Sequence, residues 1–366
     1  MKIPHNFQYG YYVFLGIGDY HQPAVLNSNW IATWGIDEWK IFLKNLTQLK
    51  ATTLMVYLMG HFLPYKSDCY PEIVASDHPN VKNEFFSKIL SLAKSYGLNT
   101  IIVLSTTGHS GKYLENNPNL AIKIRSREID LDKLLSPFPS HLRKIKNLAQ
   151  SGSAEVGLGI LCHNNADAQQ YAINLITECL TIYPQINGVA LHPPESIYPC
   201  FCNYCCELFE TKHQKNMLEV SDEVAREFYI ESYLIFQKNR LEKKIKHLLP
   251  QVQLYTFTVP WLFEKSFEKI VNHISKETVI IDWDYNLDPL RINELNKRLL
   301  RYQMHDHDLL FMPTAGFGFD NTADMQSQID SVKRQIQVAI DSKARGVIHF
   351  VGPRVALDLK KTNFYR

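Results

Sequence analysis

Eight short runs rich in β-branched and aromatic residues alternate along the chain with longer segments whose apolar residues recur at i, i+3, i+4 and i+7. The runs are Tyr12 to Ile17, Thr53 to Leu58, Thr100 to Leu104, Gly188 to His192, Val252 to Val259, Thr278 to Trp283, Leu309 to Pro313 and Gly346 to Val351. Between them lie Asp37 to Leu49, Glu84 to Tyr96, Ala166 to Ile182, Ser221 to Leu248 and Thr322 to Ser342, each with the spacing that gives a helix one buried stripe. Asp37 and Gly97 stand at the start of one stripe and just past the end of another, where helix caps belong. Strands that are nearly apolar throughout need cover on both faces, so the alternation predicts an α/β fold, a parallel (β/α)8 barrel wrapped by helices. Residues 1–366 read as one such domain. A doubly wound open sheet is the competing arrangement, but Gly16-Ile17-Gly18-Asp19 after the first run is only a two-glycine turn and no dinucleotide fingerprint follows it. One stretch, about residues 106–155, breaks the rhythm: it is polar, contains Asn116, Asn117 and Pro118, and reads as a long loop inserted after the third strand to cover or shape a site.

The charge balance narrows the partners. Lys and Arg number 39 against 37 Asp and Glu, a net of +2, which provides no field for nucleic acid or an anionic membrane. The N-terminus has no apolar run of signal-peptide length, and no stretch approaches the ~20 apolar residues of a membrane span. The expectation is a cytoplasmic protein with a neutral or small-molecule ligand, and a homo-oligomer is left open. Four of the seven cysteines fall at Cys200, Cys202, Cys205 and Cys206, a crowding that favours metal chemistry or local structure over a disulfide framework.

In a barrel of this kind chemistry sits where strands end, at their C-terminal rim. The residues there are Asp19, Tyr20 and His21 after the first strand, His61 and Tyr65 after the second, His109 after the third and Glu195 and Tyr198 after the fourth. Trp261 follows the fifth, and Asp282, Trp283, Asp284 and Tyr285 close the sixth. Carboxylates mixed with rings suit a carbohydrate, whose flat apolar face stacks while its hydroxyls need donors and acceptors. Asp19, His21, His61, His192, Trp261, Trp283 and Tyr285 are the candidate sugar contacts; the plainer alternative is that the rings simply close the barrel mouth.

The passage from Leu161 to Glu210 is the most specific. A turn at Cys162 opens a helix, a strand follows, Glu195 comes just past its end, and Cys200-x-Cys202-x-x-Cys205 leads into another helix. This passage resembles the family-42 β-galactosidases and related clan-A barrel glycosidases, which share those four features in the same order; the likeness covers some 50 residues well and the rest only as a barrel. The resemblance implies that Glu195 is the general acid/base and that Cys162, Cys200, Cys202 and Cys205 hold a structural zinc. Independently, the Cys202–Cys205 spacing is a knuckle that lets two thiolates share a metal, with Cys200 near enough to add a third. The alternative for these residues is reduced, packed thiols.

The sequence departs from the family twice. Pro194 stands where the family has Asn, and the seventh strand carries no Glu for the nucleophile. A second carboxylate must then come from elsewhere, and Asp284 ahead of Asp282 is the choice: the two share one strand face and are costly to bury outside a polar site. Cleavage assisted by the substrate's own N-acetyl group also fits the missing Glu, as does a barrel that binds a glycan without cutting it. A catalytic metal is disfavoured, because His305-Asp306-His307 precedes the seventh strand and so sits at the opposite rim.

Overall fold

The structure is a computed structural model and describes residues 7–15, 31, 34–58, 62–76, 78, 81, 83–125, 159–194, 199–258, 271–284, 292–313, 333–334 and 336–352. Its strands are β1 (Gln8–Phe14), β2 (Thr53–Tyr57), β3 (Asn99–Ser105), β4 (Gly188–His192), β5 (Gln253–Thr258), β6 (Thr278–Asp284), β7 (Leu309–Pro313) and β8 (Gly346–Gly352). All eight pair in parallel with their sequence neighbours, and β8 returns to β1, so the sheet closes into the expected (β/α)8 barrel. The described helices are α1 (Ile36–Gln48), α2 (Phe85–Ser95), α3 (Gly111–Asn116), α4 (Ala166–Ile182), α5 (Asn203–His213), α6 (Asp222–Phe236), α7 (Lys243–Leu248) and α8 (Ile292–Met304), with further helical residues at 336–341. Among the described residues no helix is long and apolar enough to cross a membrane.

Alternation along each strand makes two cores. Inward residues such as Tyr12, Met55, Val103, Ala190, Phe257, Ile281, Met312 and Phe350 fill the lumen. Outward residues such as Val13, Leu54, Leu104, Leu191 and Leu254 pack under the helices with Trp39, Phe42, Ile89 and Leu175. The close approach of β1 to β2 requires a glycine: a Cβ on Gly10 would stand 2.3 Å from the Thr53 carbonyl oxygen.

Local chemistry explains most element ends. The Asn165 side chain accepts from the Asp167 and Ala168 N–H groups at the start of α4, and Ser221 does the same for Val224 at the start of α6. Gly97 follows α2 with φ 74°, the left-handed position expected of it. Asp37 is not the cap of α1: the Gly35 N–H donates to the Glu38 carboxylate at 2.9 Å, while Asp37 pairs with Lys40 within the first turn. The single helix expected over Ser221 to Leu248 carries a π-helical segment, Gln237–Glu242, between α6 and α7. It moves the buried stripe from Phe236 to Leu241 and Ile245 and turns Gln237 inward, where it donates to Glu242 at 3.0 Å and accepts from Thr256 at 3.2 Å.

The polar insertion is structured at its start. After α3 and a 3-10 turn at Pro118–Leu120, the chain runs back beside residues 160–162: Ala121 bridges Leu161, and the Ile122 N–H donates to the Ile160 carbonyl at 3.1 Å. Residues 126–158 of that insertion lie outside the described set.

Candidate functional site

The C-terminal rim of the barrel is floored with rings. His192, the last residue of β4, faces the lumen and packs on Phe257 at 5.0 Å, Trp283 at 5.6 Å, His109 at 5.9 Å and Tyr57 at 6.0 Å between ring centroids. Its Nδ1 lies 2.9 Å from the Pro193 carbonyl oxygen, which can only accept, so Nδ1 carries the proton and the tautomer is set. Trp283 is 1% exposed, with Tyr12, Phe257 and Phe350 around it. His192 and Trp283, expected as direct sugar contacts, are therefore the packed floor of the mouth. Tyr57, Phe14 and Phe350 complete that floor and were not singled out from sequence. The signal for them was their place as the last inward residues of β2, β1 and β8.

The loop leaving β3 is held in an unusual way. His109 has φ 52°, a left-handed conformation uncommon for a residue with a side chain, and its ring meets those of Tyr57 and His192. Two backbone bonds tie this loop to the segment that enters α4: the Ser110 N–H donates to Gly159 O at 2.7 Å and the Leu161 N–H to Thr107 O at 2.8 Å. On the other side, a Cβ on Gly108 would stand 3.2 Å from Pro194 Cα, so the β3 and β4 loops touch through backbone.

Asp282 is a correction to the sequence reading. It lies on the outward face of β6, alternating with Ile281 and Trp283 in the lumen, and is fully buried against α8. There it accepts two hydrogen bonds from Arg298, Nε to Oδ2 at 2.7 Å and Nη2 to Oδ1 at 2.8 Å. The burial cost that suggested a polar site is met by this bidentate pair instead. Removing the cationic half of this buried pair through Arg298→Leu is expected to cost about 3–5 kcal/mol in urea unfolding, with much of the loss recovered in the Asp282→Leu/Arg298→Leu double variant.

Of the remaining expected site residues, Asp19, His21, His61, Glu195, Trp261 and Tyr285 lie outside the described residues, and for Asp284 only the backbone is described, paired with Pro313 at the end of β6. β7 turns Leu310 and Met312 into the lumen, so among its described side chains no carboxylate faces inward.

The four cysteines do converge. Cys162 before α4 and Cys200, Cys202 and Cys205 around the start of α5 place their sulfurs within 4.8 Å of one another, and Cys162 Sγ is 3.5 Å from those of Cys202 and Cys205. A disulfide needs about 2.05 Å, whereas four sulfurs arranged tetrahedrally about 2.3 Å from an ion stand about 3.8 Å apart. The donor set fits a metal ion. Shared sulfur hydrogen bonds split the thiols: the bond from Cys162 holds Cys202 well below the ordinary thiol range, and the same network pushes Cys205 up. Three chain segments meet here, because the Lys123 N–H donates to Cys200 Sγ at 3.3 Å and Arg125 caps the lobe over the Phe201 ring, bonded to the Met217 and Val220 carbonyls.

No family model matches the sequence, and no curated protein matches it. Solved structures match the fold. The β-galactosidase of Bacillus circulans sp. alkalophilus aligns with a TM-score of 0.61 at 11% identity, over 94% of this chain and 50% of that one. The β-galactosidase of the Antarctic haloarchaeon Halorubrum lacusprofundi gives 0.59 at 8% identity, over 93% and 52%. A family 20 β-N-acetylglucosaminidase gives 0.53 at 11% identity, over 94% and 64%. The chain spans about half the length of these β-galactosidases, and what it shares with all three is the barrel.

Proposed function

We propose that this barrel is a glycoside hydrolase in which Glu195 is the general acid/base. The observation that carries the reading is the end of β4: His192 joins the ring-lined floor of the mouth, Pro194 is seated on Gly108, and Glu195 is the next residue in the chain. Donation to a leaving glycosidic oxygen requires an acid that keeps its proton near neutrality, a property that desolvation confers on a carboxyl group at an apolar site. The cysteine lobe begins again at Cys200, so the segment carrying Glu195 is held at both ends. Zinc on Cys162, Cys200, Cys202 and Cys205 would supply that anchorage as a closed four-thiolate site with no open position for chemistry.

With Asp282 committed to Arg298, Asp284 remains as the proposed second carboxylate; two residues on from Asp282, it shares the register that alternation along β6 turns toward the helices, so this role requires the chain to turn at the end of the strand, where Asp284 pairs with Pro313. It would act as nucleophile if about 5 Å from the acid and as base for a water if about 6.5–9.5 Å away. The carboxylate-free inward face of β7 favours one further reading, in which the substrate's own N-acetyl oxygen attacks the anomeric carbon and Asp284 steadies its amide. Assaying the protein on chromogenic hexosides and N-acetylhexosaminides tests both. Turnover confined to the N-acetyl sugars selects assisted cleavage, and saturable binding with zero turnover on every sugar replaces the enzyme with a glycan-binding barrel.

A further inference from the structure

Around the four sulfurs, one side-chain amide is oriented by a fully determined hydrogen-bond network. Asn164 Nδ2 lies 3.3 Å from Cys205 Sγ and 3.2 Å from Ser232 Oγ. Ser232, on α6, spends its only proton on the Tyr229 carbonyl at 2.9 Å, and its oxygen also lies 2.8 Å from His163 Nε2. A hydroxyl has one donor and two acceptor sites, so Ser232 must accept from both His163 and Asn164. With that proton spent on Tyr229, Ser232 has none to give His163, so Nε2 is the protonated ring nitrogen and donates to Ser232. The Asn164 amide cannot flip: its oxygen would meet a serine with no proton left and a sulfur that carries charge when ligated. Both Nδ2 hydrogens are thereby assigned, one to Ser232 and one to the Cys205 sulfur.

We propose that Asn164 is a positioning residue of the metal centre, donating to the Cys205 thiolate and so setting how firmly the four sulfurs hold an ion. The proposal rests on the reading of the cysteines as a metal site. Four thiolates around a divalent cation leave a net charge of −2 in a mostly apolar lobe of Ile122, Ile160, Phe209, Met217 and Phe228, and donors to sulfur are what disperse it. The Lys123 backbone N–H serves Cys200 in this way, but it cannot be removed by a side-chain change; Asn164 can.

The test uses the full chain and two metals. Zinc retention is measured against graded chelator for the wild type, Asn164→Ala, Ser232→Ala and the double variant, and each is loaded with cobalt(II) to record its thiolate-to-metal charge-transfer band. Asn164→Ala is expected to weaken retention about 10–100-fold and to shift the band to lower energy, since a sulfur without its donor gives up electron density more easily. Ser232→Ala should do the same more weakly, and the double variant should be no worse than Asn164→Ala, because serine acts through asparagine. If Asn164→Ala does not fold, Ser232→Ala carries the same two readouts. Unchanged retention, or reduced retention with an unmoved band, overturns the role of Asn164 and leaves the metal site standing. A wild type that holds neither zinc nor cobalt at these thiols overturns the metal reading and this inference with it.

Discussion

Glu195→Gln is expected to lower turnover of the best glycoside by about 10²–10⁴-fold, while the affinity for that sugar stays within a few-fold of wild type. The amide keeps the size and hydrogen-bonding reach of the acid but has no proton to give, so the loss falls on the step in which the glycosidic oxygen leaves. Substrates with an activated phenolic leaving group need less protonation and should lose least, which separates an acid role from a binding role. Steady-state kinetics on a nitrophenyl and an alkyl glycoside, with circular dichroism as the fold control, decide the matter. A variant that turns over both glycosides at the wild-type rate removes Glu195 from the mechanism.

Cys202→Ser carries the second large effect. Purified wild type is expected to contain about one equivalent of zinc and the variant almost none, because a neutral hydroxyl replaces one of four thiolates. Structural zinc contributes roughly 10–16 kcal/mol in small peptides, and a lobe whose core is a handful of residues depends on it far more than the barrel does. Native-state hydrogen exchange should therefore show the amides of Ile122, Lys123 and Cys162 opening while those of β2 and β3 stay protected. Cys202 suits the substitution because, of the four, it alone is part-exposed, so little packing is lost with its sulfur. A metal-free wild type that melts where the loaded protein melts would count against a structural metal.

The barrel was legible in the sequence wherever burial was uniform. β4 and β7, α4 and the start of β6 follow from apolar runs bounded by polar residues. β1 begins at Gln8, four residues before the run at Tyr12, because its early part holds Gly10, a poor strand former that the close approach of Thr53 requires there. The π segment is not legible in the sequence because periodicity over Ser221 to Leu248 tolerates one extra residue in a turn. α3 is too short to display a stripe at all. At the site, cysteine spacing was informative since thiols must converge to share an ion, whatever the loops between them do. Asp282 misled for the converse reason: a two-residue period groups side chains on a face but does not say which face, and its partner Arg298 is 16 positions away on another element.

The backbone bonds from Ser110 and Leu161, together with the seat of Pro194 on Gly108, carry a lesson for re-engineering. Transplanting the third βα loop from another barrel to change specificity would sever the ties that steady its neighbour, so the exchangeable module is the loop plus the cysteine-bearing lobe. A graft that moves them together keeps the geometry of the mouth; one that moves the loop alone inherits a misaligned rim.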